Sequence, residues 1–481
     1  MRRYSLIAVI LIVVVASLTT ATLARQQKRR NVAQVYEQLC ANCHGPSLQG
    51  AQAQSLVDNV WRFGGDDASL AKSIRQGHPQ QGMPPMGGAL TAEEIRAMVI
   101  FIREAGAKFQ QSQSTFAKPL LDTVVTSEQH AFRLETVVDN LETPWSVAFL
   151  PDGRMLVTEK PGRLRVVENG RLLPSPVKGV PAVWAEGQGD LLDVAVHPDY
   201  ATNGWIYLSY SDPGENNSAM TAIVRGKLRD GALVDQATVF RVPSGLYRTG
   251  DVHFGSRFVF DGKGHLFFTI GERGQQKDAQ DLTRPNGKVH RIHDDGRVPQ
   301  DNPFVGRKGA FPTIWSYGHR NPQGLAKHPT TGDLWDAEHG PRGGDELNVV
   351  LPGKNYGWPV ITYGMNYDGT PMTNLTAKAG MEQPVTYWTP SIAVCAIDFY
   401  TGDRFPRWKN HLFLGALAQQ ELRRIEIKGR SVTHQEVLFK NIGRVRDVVN
   451  GPDGYIYVAF NDPGRVARLV PAPDTSRTRR N

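Results

Sequence analysis

The chain has 481 residues, with 48 glycines, 31 prolines and three cysteines. This length predicts two domains, the glycine and proline content predicts a turn-rich fold with much β structure, and three cysteines exclude a disulfide scaffold. Most of the formal net charge of +8 comes from residues 1–30 and 472–481 at the two ends, so the folded body is close to neutral. A neutral body excludes a nucleic-acid-binding surface.

The first 30 residues have the pattern of an export signal. Arg2 and Arg3 precede an uncharged apolar stretch at 6–18, and small residues at 21–24 offer a cleavage site. We therefore expect residues 1–30 to be a signal peptide and the protein to be periplasmic or otherwise exported. An uncleaved N-terminal membrane anchor is the alternative, because basic residues also follow the apolar stretch at 25–30.

Residues 31–108 predict an all-α domain. Val32, Val35 and Tyr36 recur at helical spacing, and Thr91 with Glu94 has the pattern of a capping box that begins a later helix. Residues 109–130 are rich in Gln, Ser and Thr, and we expect them to form the linker to a second domain.

Cys40, Cys43 and His44 form a Cys-x-x-Cys-His motif in this helical domain. Two thiols one helical turn apart can each bind a vinyl group of one porphyrin, which places the next histidine beneath the iron. A half zinc site or a thioredoxin-like redox pair is the alternative, but zinc needs a second pair of ligands close by. The motif therefore predicts one haem c, bound covalently by Cys40 and Cys43 with His44 as iron ligand.

Two methionines are candidates for the sixth iron ligand, in the loop Gly82-Met83-Pro84-Pro85-Met86. The order of haem motif, Met-Pro loop and final helix resembles the class I cytochromes c. The resemblance implies Met83 as the axial ligand, with Met86 as the alternative. Methionine ligation raises the haem potential, which suits a domain that accepts electrons.

After residue 130 the sequence changes to short apolar runs that end in turns containing Pro, Asp or Gly. This unit occurs six times, at 147–153, 194–199, 258–262, 325–329, 397–402 and 448–454. Six regular copies predict an all-β six-bladed β-propeller over residues 131–471, followed by a basic tail at 472–481. A large β-sandwich is the alternative.

Polar clusters stand just before four of the repeated strands. They contain one histidine, three arginines, one asparagine and two glutamines: His253, Arg320, Arg444, Arg446, Asn321, Gln188 and Gln323. Equivalent positions of different blades lie at the same end of a propeller, so we expect these side chains to converge. Arginine forks bind carboxylates, and a histidine beside them can act as a base, so the set predicts a pocket for a polyanionic ligand.

Residues 133–470 resemble the soluble aldose sugar dehydrogenases that depend on pyrroloquinoline quinone (PQQ), in the glucose/sorbosone dehydrogenase family. The resemblance is carried by motifs that occur in order along the chain. They are Thr143-Pro144-Trp145, Gln188-Gly189, His253-Phe254-Gly255-Ser256-Arg257, Gly318-His319-Arg320-Asn321-Pro322-Gln323-Gly324, Glu338-His339-Gly340-Pro341, Asn355-Tyr356-Gly357-Trp358-Pro359 and Arg444-Val445-Arg446-Asp447.

The resemblance implies a role for each matching residue. His253 would be the catalytic base, which takes the proton of a sugar hydroxyl while hydride passes to the quinone. The implied PQQ contacts are Gln188, Arg320, Asn321, Tyr367, Arg444 and Arg446. The carbonyls of Gly340 and Pro341 would bind a Ca²⁺ that touches the quinone, and Glu346 and Tyr356 would bind a second Ca²⁺. A lysine that binds PQQ in the soluble glucose dehydrogenases has no clear match in residues 415–419, and Cys395 stands where a small-residue turn is typical.

These features predict an exported quinohaemoprotein that oxidises an aldose or a similar alcohol with PQQ and passes the electrons to its own haem c. From there we expect them to reach a downstream cytochrome or a terminal oxidase. A Ca²⁺-dependent propeller hydrolase of the lactonase kind, and a non-catalytic binding propeller, are the alternatives. The hydrolase would need a carboxylate-rich metal centre and would have no use for a haem.

Overall fold

The computed structural model describes residues 29–113 and 123–473. The chain divides into two compact units. Of the described residues, the first contains 29–109 together with the segment Met365–Asn374, and the second contains the remainder. The predicted signal peptide and most of the basic tail lie outside the described residues. Within 29–113 and 123–473, none of the helices is long and apolar enough to cross a membrane.

The first unit is helical, as predicted. Its helices are α1 (Val32–Leu39), α2 (Ala41–His44), α3 (Asp67–Gln76) and α4 (Ala92–Gln113), with a 3₁₀ turn at Pro79–Gln81. The predicted capping box is present, because Thr91 N–H donates to Glu94 Oε2 (3.0 Å) and Glu94 N–H donates to Thr91 Oγ1 (3.2 Å). Apolar side chains of α1, α3 and α4 form one core.

The second unit is a six-bladed β-propeller. Blades 1 to 3 run in chain order. Blade 1 contains β3 (Pro144–Phe149), β4 (Met155–Glu159), β5 (Arg163–Glu168) and β6 (Arg171–Leu172). Blade 2 contains β7 (Leu191–Val196), β8 (Trp205–Pro213), β9 (Ser218–Arg229), β10 (Ala232–Phe240) and β11 (Arg248–Thr249), with the short helix α5 (Tyr200–Asn203) between β7 and β8. Blade 3 contains β12 (Phe258–Phe260), β13 (His265–Ile270), β14 (Lys288–His293) and β15 (Ile314–Tyr317).

The last blade joins the two ends of the propeller chain. Blade 4 contains β16 (Pro322–Lys327), β17 (Leu334–Glu338), β18 (Asp345–Val350) and β19 (Thr386–Trp388). Blade 5 contains β20 (Val394–Phe399), β21 (Leu412–Ala416), β22 (Glu421–Lys428) and β23 (Ser431–Phe439). Blade 6 contains β1 (Val125–Thr126), β2 (Ala131–Val138), β24 (Val445–Asn450), β25 (Ile456–Asn461) and β26 (Gly464–Pro471). In blade 6, β2 pairs with β26, and this pairing closes the ring of blades.

All six predicted repeats fall on the first strand of a blade or on the turn that follows it. These first strands, β3, β7, β12, β16, β20 and β24, contact one another in a closed ring. The propeller prediction is therefore confirmed, and the β-sandwich alternative is wrong. The predicted linker 109–130 contains more regular structure than expected: α4 continues to Gln113 because glutamines favour helix, and Val125–Thr126 pairs with β2.

An ion network fills the centre of this ring. Arg257, fully enclosed before β12, donates from Nη1 to Asp447 Oδ1 (2.8 Å) and Asp193 Oδ1 (3.3 Å), and its guanidinium lies 4.3 Å from the Trp145 ring. Both carboxylates also accept backbone N–H groups, Asp447 from Val147 and Asp193 from Phe258, at 2.8 and 2.7 Å. Blades 1, 2, 3 and 6 are thus joined at the axis through one buried cation.

Candidate active site and haem site

The haem motif lies at the junction of α1 and α2. Cys40 is the C-cap of α1 and the N-cap of α2, and α2 carries Cys43 and His44. His44 Nδ1 is 3.1 Å from the carbonyl oxygen of Gln54. A carbonyl only accepts, so Nδ1 carries the proton and Nε2 is left to bind a metal. This fixed tautomer fits the predicted role of His44 as iron ligand.

The two candidate methionines have different surroundings. Met86 packs against the apolar core of the helical unit, whereas Met83 is partly exposed and lies outside that core. Met83 is held by its backbone, since its N–H donates to His78 O (3.2 Å) and its carbonyl accepts from His78 N–H (2.9 Å). A side chain that core packing does not require is the better candidate for binding iron, which favours Met83.

Met83→Leu in the holoprotein is expected to remove the weak far-red band of a methionine-ligated ferric haem. The haem reduction potential should fall by on the order of 0.1 V, within the ~0.8 V range that axial ligands span. Met86→Leu is the matched control and should keep both properties. A far-red band that survives in Met83→Leu and disappears in Met86→Leu would move the assignment to Met86.

In the propeller, the predicted site residues converge at one end. His253 N–H donates to Gln188 Oε1 (2.8 Å), and Gly255 N–H donates to Asn321 Oδ1 (3.2 Å). These contacts join the loops before β7, β12 and β16. The shared position before the first strands therefore brings the loops together, as the sequence predicts.

His339, which is partly exposed, lies near all three arginines. Burial lowers the pKa of His339 well below its ordinary value, and the nearby guanidinium groups of Arg320, Arg446 and Arg444 lower it further. Within the described residues, His339 Nε2 and Arg446 Nε are buried without a hydrogen-bond partner. A group of cations with unpaired donors fits a ligand that carries several carboxylates.

His253 is paired with Glu272, a residue that the sequence analysis did not identify. His253 Nδ1 contacts Glu272 Oε1, and both side chains are largely buried. Burial lowers the pKa of His253 from its ordinary 6.5, and the hydrogen bond to Glu272 opposes this shift. His253 also has a positive φ of 58°, a strained conformation of the kind that clusters at functional sites. Glu272 therefore orients the ring, and burial favours its neutral form, in which Nε2 can accept a proton.

Arg320 binds the loop that follows β17. Its Nη1 donates to the carbonyls of His339 (3.1 Å) and Gly340 (2.7 Å), and its guanidinium lies 5.2 Å from the Trp358 ring. Gly340 N–H in turn donates to Asp345 Oδ1 (2.9 Å). The Gly340 carbonyl, an implied calcium ligand, is thus engaged by Arg320 here, while Pro341 is buried beside it.

Glu346, another implied calcium ligand, belongs to a buried acidic cluster on β17 and β18. Glu338 lies opposite Glu346, and Asp336 lies opposite Asn348, on one face of the two strands. Burial and the charges of Glu338 and Asp336 raise the pKa of Glu346 well above its usual value. Among the described side chains, Oδ1 of Asp336 and Oδ1 of Asn348 are buried without a hydrogen bond, and Asp336 Oδ2 lies 3.5 Å from His319 Nδ1. Such an oxygen-rich donor set fits Ca²⁺.

His319 and Tyr356 border this acidic cluster. The ligand atoms of His319, Asp336 and Glu338 lie within 4.8 Å of one another, and the Tyr356 ring stacks on His319 with centroids 4.5 Å apart. The Tyr356 hydroxyl accepts from Leu351 N–H (2.8 Å) and donates to Val349 O (2.5 Å). The hydroxyl is therefore engaged by the backbone, and a calcium contact would come from another atom of Tyr356.

Tyr367 and Cys395 lie in two different parts of the structure. Tyr367, an implied PQQ contact, lies in Met365–Asn374 with the helical unit and is 71% exposed. Cys395 is fully buried on β20, but its surroundings are polar: Sγ lies 3.1 Å from Arg446 O and 3.4 Å from Gln323 Oε1. Gln323 also accepts from Arg446 Nη1 (2.8 Å) and so orients that arginine.

Asp190 is a buried carboxylate near Arg446 that the sequence pattern did not single out. It lies two residues after Gln188, is almost fully buried, and its Oδ1 is 3.6 Å from Lys160 Nζ. Burial raises its pKa to about 7, although Lys160 and Arg446 oppose the shift. The signal that the sequence offered for Asp190 is its position directly after the Gln188-Gly189 motif.

Comparison with known proteins covers both units. The sequence model of the family described as Glucose / Sorbosone dehydrogenase matches residues 141–468, and that of Cytochrome C oxidase, cbb3-type, subunit III matches residues 27–102. Aldose sugar dehydrogenase YliI of Escherichia coli (strain K12) is 45% identical over 368 residues, which are 75% of this chain and 99% of that protein.

Two solved structures extend the comparison to the fold. The soluble aldose sugar dehydrogenase of Escherichia coli in the apo-form aligns with a TM-score of 0.67 at 45% identity, covering 71% of this chain and all of that one. The PQQ-bound form of the aldose sugar dehydrogenase from Streptomyces coelicolor aligns with a TM-score of 0.59 at 27% identity, covering 74% of this chain and 99% of that one.

Proposed function

We propose that this chain, which belongs to the glucose/sorbosone dehydrogenase family and carries a cytochrome c domain at its N-terminus, oxidises an aldose or similar alcohol with PQQ and passes the electrons to its own haem c. The observation that carries the proposal is the cluster of Arg320, Arg444 and Arg446 beside the His253–Glu272 pair. The PQQ-bound relative supports the identity of the cofactor. A hydrolytic site would instead centre on several carboxylates around a metal, whereas the charged neighbours of His253 here are Glu272, Arg320 and Arg273.

The arginine cluster would hold the cofactor. Three guanidinium groups offer paired N–H donors to carboxylates, and Gln323 fixes one of them, Arg446, in place. PQQ supplies the two-electron acceptor when bound, and a Ca²⁺ at Gly340 and Pro341 would make its carbonyl more electrophilic. Asn321 contributes indirectly, because its side chain holds the His253 loop through Gly255 N–H.

His253 performs the proton transfer. Its ring is neutral near neutral pH because burial lowers its pKa, and Glu272 holds Nδ1 so that Nε2 can accept the proton of the sugar hydroxyl. The buried carboxylate then stabilises the imidazolium that forms. Once the hydroxyl oxygen has lost its proton, the carbon that bears it can donate hydride.

The helical unit would receive the electrons. His44 has the tautomer needed for iron, and Cys40 and Cys43 precede it at the attachment spacing. A downstream cytochrome or terminal oxidase would reoxidise the haem. We also propose export, on the basic, apolar and small-residue pattern of residues 1–30; cell fractionation and sequencing of the mature N-terminus test it.

The direct test is a panel of aldoses and alcohols added to the protein reconstituted with PQQ and Ca²⁺. Haem reduction is followed in the same cuvette as dye reduction. The proposal requires that at least one aldose reduces the haem, and that omission of PQQ abolishes both signals. Lactone hydrolysis without haem reduction would instead support the hydrolase alternative.

Asp190 predicts how PQQ binding depends on pH. Its pKa of about 7 means that it becomes anionic as the pH rises through neutrality, and it then repels a polyanion at the arginine cluster. We expect the Kd for PQQ to increase several-fold from about one pH unit below 7 to one above. Asp190→Asn should bind PQQ with little pH dependence, measured by fluorescence titration of the apoprotein. Asp235→Asn, at an exposed ion pair, is the control and should behave like the wild type.

A further inference from the structure

The segment Met365–Asn374 belongs to the helical unit, although it lies between β18 and β19 of blade 4 in the sequence. The family match for the cytochrome part covers only residues 27–102, whereas this segment falls within the match to the dehydrogenase family. The chain therefore passes from one unit to the other at 109–110, 364–365 and 374–375.

The segment has a defined shape of its own. Asn366 N–H donates to Thr370 O (3.0 Å), and Gly369 N–H donates to Asn366 O (2.9 Å). Asp368 Oδ1 accepts from both N–H (2.8 Å) and Oγ1 (2.7 Å) of Thr370, and Gly369 has a φ of 79°, which suits glycine. These bonds make the segment a folded turn and not an extended connection.

This turn completes the N-terminus of α1. The first turn of a helix leaves backbone N–H groups without partners. Asn31 accepts from Ala33 N–H (2.8 Å) and Gln34 N–H (3.3 Å), and the N–H of Val32 donates to Gly369 O (2.9 Å). The Asn31 amide also donates to Asp368 O.

Two further contacts connect the segment with the unit. Arg29 Nη1 donates to Pro371 O (3.1 Å), and Met365 is 1% exposed within the apolar core. That core includes Val35 and Tyr36 of α1, and Cys40 packs against it. The segment thus contributes both polar contacts at the start of α1 and an apolar side chain to the core beside the haem motif.

We propose that Met365–Asn374 is an integral element of the haem-binding unit. This segment positions α1, and α1 in turn positions the Cys40–His44 motif at its C-terminal end. The haem environment then depends on a segment encoded within the propeller sequence. This inference rests on one part of the proposed function, namely that the helical unit binds haem c.

The test uses the full-length holoprotein and urea unfolding with two readouts, the haem Soret band and the far-ultraviolet signal of the β-strands. Met365→Ala is expected to lower the urea midpoint of the haem transition by about 1 M. Met155→Ala is the matched control, since Met155 lies in the propeller and is only 2% exposed. It should lower the midpoint of the strand signal and leave the haem transition unchanged.

A second variant keeps Met365 and replaces residues 366–373 with a Gly-Ser loop of equal length. Its haem transition should also fall to lower urea, and its ferric haem spectrum should change because α1 loses its support. Haem transitions at the wild-type midpoint in both variants would overturn the inference. A pyridine haemochrome assay on the wild type tests haem attachment separately, so a failure of the proposed function would be recognised independently.

Discussion

His253→Ala is expected to lower the turnover number of dye-linked sugar oxidation by about 10²–10⁴-fold in protein reconstituted with PQQ and Ca²⁺, because the loss of a positioned general base costs that much. The PQQ affinity should change much less, since the arginine cluster remains. The measurement is steady-state kinetics with a saturating aldose, combined with a PQQ titration of the same variant. Full activity in His253→Ala would refute the assigned role.

His265→Ala is the matched control. His265 also belongs to blade 3 and also pairs with a carboxylate, with its Nδ1 2.8 Å from Asp261 Oδ2. The pair lies at the turn between β12 and β13, away from the loops that precede the first strands. Its loss should leave the turnover number within about twofold of the wild type, so a general effect of removing a histidine–carboxylate pair can be recognised.

The pH profile separates the roles of His253 and Glu272. The base must be neutral, and burial lowers its pKa below 6.5, so the acid limb of kcat/KM in the wild type should lie below pH 6.5. The hydrogen bond from His253 to Glu272 raises this pKa, so Glu272→Gln should move the acid limb to lower pH. The same variant should lower the turnover number by about 10-fold or more, because a neutral amide stabilises the imidazolium poorly. A lower rate without a displaced acid limb would indicate a purely structural role for Glu272.

Local sequence signals were sufficient for the architecture and for much of the site. The first strand of each blade alternates apolar residues and ends in a turn, so the repeat is visible in the sequence. Residues that precede these strands occupy equivalent positions, which is why Gln188, His253 and Asn321 could be grouped before their contacts were known. The haem motif is equally local, because its three functional residues lie within five positions.

Other features depend on contacts that no local pattern reveals. Glu272 follows the second strand of blade 3 and reaches His253 only because β12 and β13 are antiparallel. Burial gives Asp190 its raised pKa, and burial comes from tertiary packing. The contact between Gly369 and Val32 spans most of the chain, so apolar spacing could not assign Met365–Asn374 to the helical unit.

The axial ion network leads to the largest stability effect that we expect. Arg257→Met removes the cation that compensates Asp193 and Asp447, both almost fully buried. Loss of one partner from a buried ion pair leaves an uncompensated charge and costs about 3–5 kcal/mol of the free energy of unfolding. Urea denaturation monitored by the strand signal measures this loss. Arg297→Met is the control: Arg297 is 75% exposed and pairs with Asp295, so the change should stay within about 0.5 kcal/mol.

A neutral triple variant tests whether charge or packing causes the loss. Arg257→Met combined with Asp193→Asn and Asp447→Asn should recover part of the stability, because replacement of all charges avoids the unpaired carboxylates.

The pH dependence of the stability of Arg257→Met separates charge from packing independently. Burial raises the pKa of Asp193 to about 6 in the presence of Arg257, and removal of that cation raises it further. A carboxyl whose folded pKa exceeds its unfolded value of about 3.9 destabilises the fold as the pH rises between them. The deficit of Arg257→Met should therefore shrink as the pH falls from about 8 to about 5, and a deficit that is independent of pH would assign the loss to packing around Trp145.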